Sequence, residues 1–372
     1  METFLLYDLY RGINMNIVEC NSNNYKLYMK FTKAIYKDNM FFKDTTSSLL
    51  KAILLKQSEF CKYAYVYPVM IYDVDKIVAV CTYIHADNYK ETLQIAYFEA
   101  LPYYDEAIEL IINLGKEICR ERSISKITIG LNGHVNYGLG ILGDNYDTSL
   151  SFGNNYNPPY YIDYFDKYKT VEYTLTSFKG SMKDFNMDRE QKAIKRICSK
   201  FTFRNINFKD FKNEMEVYTE LNNMCFLNHP FYFKRSYMED YELFKDLKLF
   251  IKEENLIFAE KDGRPIGFIL WYPDFNQLIP KGKSMGVSTF IKNKLFSHRI
   301  NKFKIVEIGV LPEFHNTGAI LGLFNECYKK AKEKYDLYET SWILDSNFKS
   351  RNFGVKWANE EYKHYRVYEI QL

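Results

Sequence analysis

The sequence predicts an α/β protein in which one order of secondary-structure elements occurs twice. A chain of 372 residues is comfortable for two domains, and a hydrophobic content of 47% is enough for two cores. A short apolar run, a polar turn and helically spaced apolar residues follow one another through residues 306–334, which indicates strand, turn and helix. The order hairpin, strand, turn, helix, strand is found in both parts of the chain.

The first copy occupies residues 65–130. Its strands are apolar runs separated by polar turns, and its helix shows apolar residues at helical spacing. The predicted elements are strands 65–72, 77–84, 92–99 and 126–130, and a helix over residues 107–118. The turn that enters this helix has no glycine and carries Asp105 and Glu106. Acids there stabilise a helix but repel a bound anion, so we expect no anion site in this copy.

The second copy lies between residues 256 and 344. Asp262-Gly263 between two apolar runs is a strong hairpin signal. A charged, polar stretch at residues 189–200 is typical of a linking helix, and a strand is expected after it. The predicted strands are 201–206, 256–260, 265–270, 306–311 and 339–344, with a helix over 320–331, a short helix after Asn347 and a closing strand near 365–369.

The turn at residues 313–318 suits an anionic ligand. It exposes main-chain N–H groups at a helix N-terminus, where the helix dipole favours negative charge. Gly318 has no Cβ, so we expect a bulky anion to be able to approach the main chain there. After Glu313 the turn contains no acid that would repel a phosphate.

This turn resembles motif A of the GNAT N-acetyltransferases, whose pattern is Gln/Arg-x-x-Gly-x-Gly/Ala. The match is partial, because His stands at the first position and Ile at the last. The order of elements also resembles a bacterial group of tandem GNAT proteins. The resemblance implies two GNAT-like domains, each with a mixed central sheet flanked by helices, and an acetyl-CoA or other acyl-CoA cofactor. The residues that it assigns to the cofactor are Ile308, Val310, His315, Asn316, Thr317, Gly318, Ala319, Ile320 and Asn347.

The predicted domains are residues 16–177, without a CoA site, and residues 200–372, with the acyl-CoA site. Residues 178–199 are expected to form the linking helix. Met15 is a plausible alternative start, so residues 1–14 are expected to lie outside the fold.

Acyl transfer to an amine needs a group that removes the amine proton. On an alternating strand, Glu307 shares a face with Ile305 and Gly309, and this places a carboxylate beside the predicted CoA turn. Asp274 and His229 are further catalytic candidates; their alternative roles are a turn cap and a structural loop histidine. The family's usual thiolate donor, a tyrosine seven residues after the strand-5 asparagine, is Gly354 here.

The sequence leaves three functions open. The leading one is an acyl-CoA-dependent N-acyltransferase, expected to be an N-acetyltransferase, that acts on a small-molecule or peptide amine. A Fem-type aminoacyl transferase would need a long charged arm and a basic groove, and neither is evident. A non-catalytic GNAT-fold binding protein with a decayed CoA site would explain Ile320 and the missing tyrosine.

Composition limits the partners. A net charge of +3 with scattered basic residues implies neither nucleic acid nor a membrane as partner. Seven cysteines without a C-x-x-C pair favour reduced thiols and a cytoplasmic location. The six histidines show no ligand spacing, so no metal site is expected.

Overall fold

The computed structural model describes residues 15–280 and 283–372, so the expectation about residues 1–14 lies outside the described residues. We call residues 15–190 the first half and residues 191–372 the second half. The elements of the first half are β1 (Met15–Glu19), α1 (Tyr25–Ile35), α2 (Ser47–Leu54), β2 (Ala64–Asp73), β3 (Lys76–Ala86), β4 (Thr92–Ala100), α3 (Asp105–Arg122), β5 (Lys126–Ile129), β6 (Ile141–Leu142), α4 (Tyr161–Asp166) and β7 (Val171–Ser181).

The second half repeats the strand–helix order with different loops. Its elements are α5 (Gln191–Cys198), β8 (Thr202–Asn205), α6 (Phe211–Cys225), α7 (Tyr237–Leu247), β9 (Leu256–Lys261), β10 (Arg264–Pro273), α8 (Val287–Phe296), β11 (Lys302–Val310), α9 (Ala319–Ala331), β12 (Leu337–Thr340), β13 (Ile343–Leu344), α10 (Phe348–Trp357) and β14 (Glu360–Gln371). Both predicted hairpins are confirmed as β2–β3 and β9–β10, and both predicted strand–turn–helix units as β4–α3 and β11–α9.

The strands of the described residues form one mixed sheet across both halves. Its order is β1-β2-β3-β4-β5-β14-β7-β12-β11-β10-β9-β8, with β6 beside β14 and β13 beside β7. The pairs β4–β5 and β11–β12 are parallel, and the other neighbouring pairs are antiparallel. The expected mixed sheet with flanking helices is confirmed, although the strands form one sheet through both halves where one for each domain was expected.

The two halves exchange strands at their junction. The C-terminal strand β14 pairs with β5 of the first half through Tyr368–Gln371, and β7 of the first half pairs with β12 through Lys179–Ser181. Strand β7 therefore runs across residue 177, where the sequence analysis ended the first domain, and the closing strand expected for the second copy lies beside the first. A buried core lies on each side of this junction.

Candidate active site

The sheet opens between β11 and β12. The parallel pairing runs from Lys302 to Ile305 and is followed by one further bond, from the Ser341 N–H to the Ile305 carbonyl at 2.8 Å. Beyond it the chain turns away, and Leu344 of β13 pairs with β7 instead. The edge of β11 from Val306 to Val310 therefore faces an opening on one side while β10 pairs with it on the other.

A β-bulge marks the start of this opening. Trp271 of β10 lies opposite Ile305, but its neighbour Leu270 lies opposite Glu307, so Val306 is the extra residue. Bulges re-aim side chains and are common next to active sites. The predicted strict alternation of faces along β11 is wrong for this reason: five consecutive residues, 304–308, line the same cavity.

The turn before α9 leads into free main-chain donors in the first residues of the helix. Its residues His315, Asn316 and Thr317 are exposed, and Gly318 adopts a left-handed conformation with φ of 89°. The first bond of the helix runs from Gly322 N–H to the Gly318 carbonyl at 3.1 Å. The N–H groups of residues 319–321 precede that bond, so they are oriented toward the helix N-terminus and suit an anion. The His315 ring is held by the Val310 carbonyl at 3.0 Å.

The space predicted over Gly318 is filled by protein, so that expectation is wrong. A Cβ at Gly318 would lie 2.7 Å from Cδ1 of Ile197, on helix α5. Glycine is needed here because of its positive φ and this close packing, not because a ligand approaches its Cα. The N–H groups that open α9 are a separate surface, and Ile320 in its first turn lines the cavity.

A cavity of about 1340 Å³ extends from the opening in the sheet to the surface of the first half. Its lining is mainly apolar and includes Ile308, Ile320 and Asn347 from the predicted cofactor residues, while Val310 and residues 315–319 lie outside it. The first half contributes residues 44–49, 135–139 and 152–153. The two halves therefore enclose one site together.

Glu307 is held on the cavity wall by residues from both halves. The Tyr218 hydroxyl donates to its Oε2 at 2.7 Å. With the Asn136 amide oriented by its neighbours, the Asn136 nitrogen donates to Oε1 of Glu307 at 3.0 Å and its oxygen accepts from Arg235 at 2.7 Å. Burial raises the pKa of Glu307, opposed by the Arg235 charge and the Tyr218 hydrogen bond. A carboxylate with a raised pKa is suited to accept a proton near neutral pH.

Arg235 is itself fixed by a buried ion pair. Its Nε lies 2.8 Å from Oδ1 of Asp240, and both side chains are almost completely buried. The hydroxyl of Thr219 donates to the other Asp240 oxygen at 2.6 Å, and Arg235 Nη1 donates to the Tyr232 hydroxyl at 3.0 Å. The guanidinium therefore keeps a constant position behind Asn136.

His229 lines the same cavity and has a free ring nitrogen. The Phe231 N–H donates to its Nδ1 at 3.3 Å, while Nε2 is buried without a hydrogen-bond partner among the described residues. Burial lowers the pKa of His229 to about 4, so the ring is neutral at physiological pH. A neutral ring that accepts at Nδ1 carries its proton on Nε2 and can donate to a ligand in the cavity.

Asp274 is used inside the protein. Its Oδ1 accepts from the Phe152 N–H at 2.8 Å and from the Asn276 N–H at 3.2 Å, and its Oδ2 lies 3.1 Å from the Lys302 ammonium. Burial raises the pKa of Asp274 and the Lys302 charge opposes the rise. Asp274 is not among the cavity-lining residues, so its contacts give it a structural role at the junction of the halves.

Lys304 is a cavity residue that the sequence analysis missed. It is almost fully buried, and its ammonium contacts the Phe152 carbonyl at 3.1 Å and the Asn154 side chain, both in the first half. Burial lowers its pKa to about 8. The residues next to Lys304 in the sequence do not indicate that its side chain is buried at the cavity, because its hydrogen-bond partners lie about 150 residues away in the chain.

Comparison with known proteins finds a family match in the second half. Residues 218–356 match the sequence model of the acetyltransferase (GNAT) family. This part of the chain is therefore similar to a GNAT domain. Among solved structures, a tandem GNAT protein from the clavulanic acid biosynthesis pathway aligns with a TM-score of 0.54 and 10% identity, covering 96% of this chain and 98% of that protein. The glucosamine N-acetyltransferase region of a fungal β-N-acetylglucosaminidase aligns with a TM-score of 0.59 and 14% identity, covering 95% of this chain and 38% of that one. These likenesses show the GNAT fold.

Two relatives are similar in sequence. Protein YghO of Escherichia coli (strain K12) is 23% identical over 315 residues, which cover 80% of this chain and 79% of YghO. A protein of Caulobacter vibrioides (strain NA1000 / CB15N) named bacterial ceramide synthase is 25% identical over 193 residues. That alignment covers 49% of this chain and 50% of the Caulobacter protein.

The first half has the matching opening of a GNAT sheet, but side chains fill it. Strand β4 pairs with β5 only from Thr92 to Ile95, as β11 does with β12. The Tyr161 hydroxyl accepts the Ala100 N–H at 2.8 Å and donates to Glu99 at 2.7 Å, and Tyr36 also donates to Glu99. A cavity of only about 110 Å³ remains there.

The second half offers hydrogen-bond donors and acceptors that suit acyl-CoA, the cofactor of GNAT proteins. Besides the open β11 edge and the free amides of α9, the lining contains polar atoms that are buried without a partner in the described part of the chain. They are Asn222 Oδ1, His229 Nε2, Tyr338 Oη and Trp357 Nε1. Buried polar atoms are normally satisfied, so a polar ligand or ordered water is left to pair with these atoms. Tyr338 and Trp357 lie on the α10 side, next to the opening.

Proposed function

We propose that this protein is an acyl-CoA-dependent N-acyltransferase whose site is shared by its two halves. The observation that carries the proposal is the opening between β11 and β12, with free helix amides at one end and Glu307 on its wall. The fold is that of the GNAT acyltransferases, which use acyl-CoA and an amine acceptor. The first half, with its opening filled by tyrosines, serves the site without binding CoA.

The acyl donor would be held by main-chain groups. The edge of β11 around Ile308 can pair with the amides of the pantetheine arm, and the N–H groups of residues 319–321 suit its diphosphate. His315, Asn316 and Thr317 in the turn just before α9 would lie next to that diphosphate, and Asn347 lines the cavity from the start of α10. Glycine at 318 keeps the turn in the conformation that exposes these amides.

Glu307 is proposed as the proton acceptor. The amine nitrogen attacks the thioester carbonyl carbon, the carbon–sulfur bond breaks, and the proton lost by the nitrogen passes to the Glu307 carboxylate. Tyr338 lines the cavity, and its hydroxyl, which lies against Gly180 and has no hydrogen-bond partner among the described residues, is the candidate to return a proton to the departing thiolate in place of the tyrosine missing at 354. His229 would position the acceptor through Nε2, and Asp274 would hold the two halves together.

The cavity favours a substrate with a long aliphatic chain. A pocket for a drug-sized ligand has roughly 300–1,000 Å³, and the cavity here is about 1340 Å³ with a mainly apolar lining. With the pantetheine arm along β11, acetyl transfer to a small amine would leave the part lined by the first half largely unoccupied. The name of the Caulobacter relative, bacterial ceramide synthase, agrees with an amide-linked long chain. The seven free cysteines agree with a reducing compartment such as the cytoplasm.

Calorimetric titration with acetyl-CoA, palmitoyl-CoA and CoA tests the donor site. We expect binding by all three, tightest for palmitoyl-CoA. Thiol release from acetyl- or palmitoyl-CoA would then be compared between a long-chain amino alcohol and a water-soluble diamine. Binding without thiol release for any acceptor would favour the non-catalytic alternative, and no binding at millimolar concentrations would end the proposal.

A charge variant locates the diphosphate. Ile320→Asp puts an acid in the first turn of α9, as Asp105 and Glu106 do in α3, and this acid stabilises the helix while repelling an anion. Ile320→Asn changes the same side chain without adding charge. We expect CoA affinity to fall at least about tenfold more in Ile320→Asp than in Ile320→Asn. Equal affinities would place the diphosphate elsewhere.

A further inference from the structure

Helix α8 carries an exposed apolar stripe beside the cavity. Val287, Ile291 and Leu295 follow one another at four-residue spacing on one face of the helix and are 77%, 50% and 61% exposed. Phe290 of the same helix lines the cavity and packs against Phe250 with ring centroids 5.8 Å apart. Large apolar side chains grouped on a surface in this way mark an interaction site.

The stripe is continuous with the edge of the cavity. Val287 both lines the cavity and belongs to the stripe, and Leu249, which is 55% exposed, lines it from the α7 side. The start of α8 is fixed to the first half: the Ser284 hydroxyl donates to the Asp44 carboxylate at 2.6 Å, and the Met285 N–H donates to the Asp44 carbonyl at 3.1 Å. An aliphatic chain leaving the cavity at Val287 would thus pass directly onto the stripe.

The charge around the stripe has one sign. Residues 275–301 contain four lysines, one arginine and no acid. Lys283, Lys294 and Arg299 are exposed, and Lys294 and Arg299 lie over the rings of Phe290 and Phe296. On the neighbouring α7 side the exposed acid Asp246 is offset by Lys245. A short helix with an apolar stripe and basic flanks matches an anionic lipid surface.

We propose that α8 docks on an anionic membrane surface and places the cavity edge where a lipid-borne substrate can enter. The stripe enters the boundary between head groups and acyl chains, and the basic side chains contact the lipid phosphates. Docking at this surface lets an aliphatic chain reach Glu307 without crossing water. The proposal rests on the N-acyltransferase function for its purpose, but the docking itself can be measured without any turnover.

Vesicle sedimentation tests the docking. We expect the protein to sediment with vesicles of phosphatidylcholine and phosphatidylglycerol, and much less with phosphatidylcholine alone or at high salt. The double variant Ile291→Glu/Leu295→Glu should bind at least about tenfold more weakly, because two apolar side chains are replaced by charges that an anionic surface repels. Lys294→Glu is a second variant and should weaken binding to the anionic vesicles only.

Leu27→Glu is the matched control, since Leu27 is a 47% exposed leucine on helix α1 and does not line the cavity. Its vesicle binding should equal that of the wild type. Failure of the wild type to sediment, or unchanged binding by the double variant, would overturn the proposal. So would a dimer that the double variant dissociates while vesicles remain unbound, since a second copy would then cover the stripe. In the absence of vesicles, the double variant should bind palmitoyl-CoA as tightly as the wild type does. If the wild type binds vesicles but not palmitoyl-CoA, the proposed N-acyltransferase function is wrong and the membrane-docking surface still stands.

Discussion

Replacing Glu307 by glutamine is the most direct test of the catalytic assignment. The side chain keeps its length, and the new amide oxygen can still accept from either Tyr218 or Asn136, both of which contact the carboxylate. The cavity volume and the CoA contacts are expected to be unchanged. What Glu307→Gln loses is the ability to take a proton, so its effect should be confined to turnover.

The size of the effect follows from the role. A positioned general base contributes about 10²–10⁴-fold, or about 3–5 kcal/mol of activation free energy. Glu307 is directed by two donors and lies in a cavity that limits water, which puts it at a well-defined position rather than on a mobile loop. We therefore expect kcat to fall by about 10²-fold or more, with the dissociation constant of palmitoyl-CoA changed by less than about threefold.

The pH profile separates a base from a structural carboxylate. Burial raises the pKa of Glu307, and its ionised form is the active one, so wild-type kcat should increase as pH rises through that pKa. In Glu307→Gln this rise should disappear, so that kcat is low and does not change with pH in the acid range. The assay is thiol release at saturating palmitoyl-CoA over pH 5 to 9, with calorimetric CoA binding as the check on folding.

Glu99→Gln provides the matched control, because Glu99 is also a strand carboxylate held by tyrosine hydroxyls but lies in the filled opening of the first half. Its kcat and its pH profile should equal those of the wild type. Glu307 is not the proton acceptor if Glu307→Gln retains more than about a tenth of the wild-type kcat, or if the kcat of the variant still rises with pH as that of the wild type does.

Three further predictions concern the surroundings of these carboxylates. Tyr218→Phe removes a hydrogen bond that lowers the pKa of Glu307, so the acid limb of the kcat profile should shift to higher pH while kcat at pH 9 stays near the wild-type value. Burial raises the pKa of Glu99 from 4.5 to about 8, so the folded state binds the Glu99 proton more tightly than the unfolded state does. The free energy of unfolding should therefore fall by at most about 5 kcal/mol as pH rises from about 5 to above 8. Urea unfolding of Glu99→Gln should not show this loss of stability. Arg235→Ala leaves the Asp240 charge buried and unpaired, and urea unfolding should show a loss of about 3–5 kcal/mol, whereas a loss below about 1 kcal/mol would show that water enters and solvates Asp240.

Local patterns were enough to predict most of the fold. Apolar runs bounded by turn residues fixed both hairpins, and helical spacing fixed α3 and α9. The turn before α9 could be found because the sequence shows a glycine in a polar turn, followed within a few residues by apolar residues at helical spacing. These features depend on neighbours in the sequence, which is why the sequence alone reveals them.

The composition of the site could not be predicted in the same way. Asn136 and Glu307 are 171 residues apart in the chain, and nothing near Asn136 indicates a polar contact of that kind. The bulge at Val306 depends on the register with β10, and Ile197 reaches Gly318 only because α5 packs on α9. The exchange of β7 and β14 likewise depends on pairing between distant strands, which no local pattern encodes.

The nearly balanced net charge of the whole chain concealed a local excess of basic residues. Basic residues are scattered over the whole sequence, which implied no membrane partner, yet residues 275–301 carry five basic residues and no acid. No helix in residues 15–280 and 283–372 has the length and apolarity needed to span a bilayer, and this finding does not bear on a helix that lies along the surface.

The contacts of the first half explain why the second half should retain a partner whose own opening is filled by side chains. Asn136 positions Glu307, the Phe152 carbonyl and N–H contact Lys304 and Asp274, and Asp44 fixes the start of α8. In the proposed arrangement, each of these contacts acts on a part of the site away from CoA: the base, the far end of β11 and the cavity edge. On that proposal the second half would supply the donor site, and the first half would supply most of what defines the acceptor. Acceptor specificity should accordingly change more through substitutions in residues 44–49 and 135–139 than through any in the turn at 315–320.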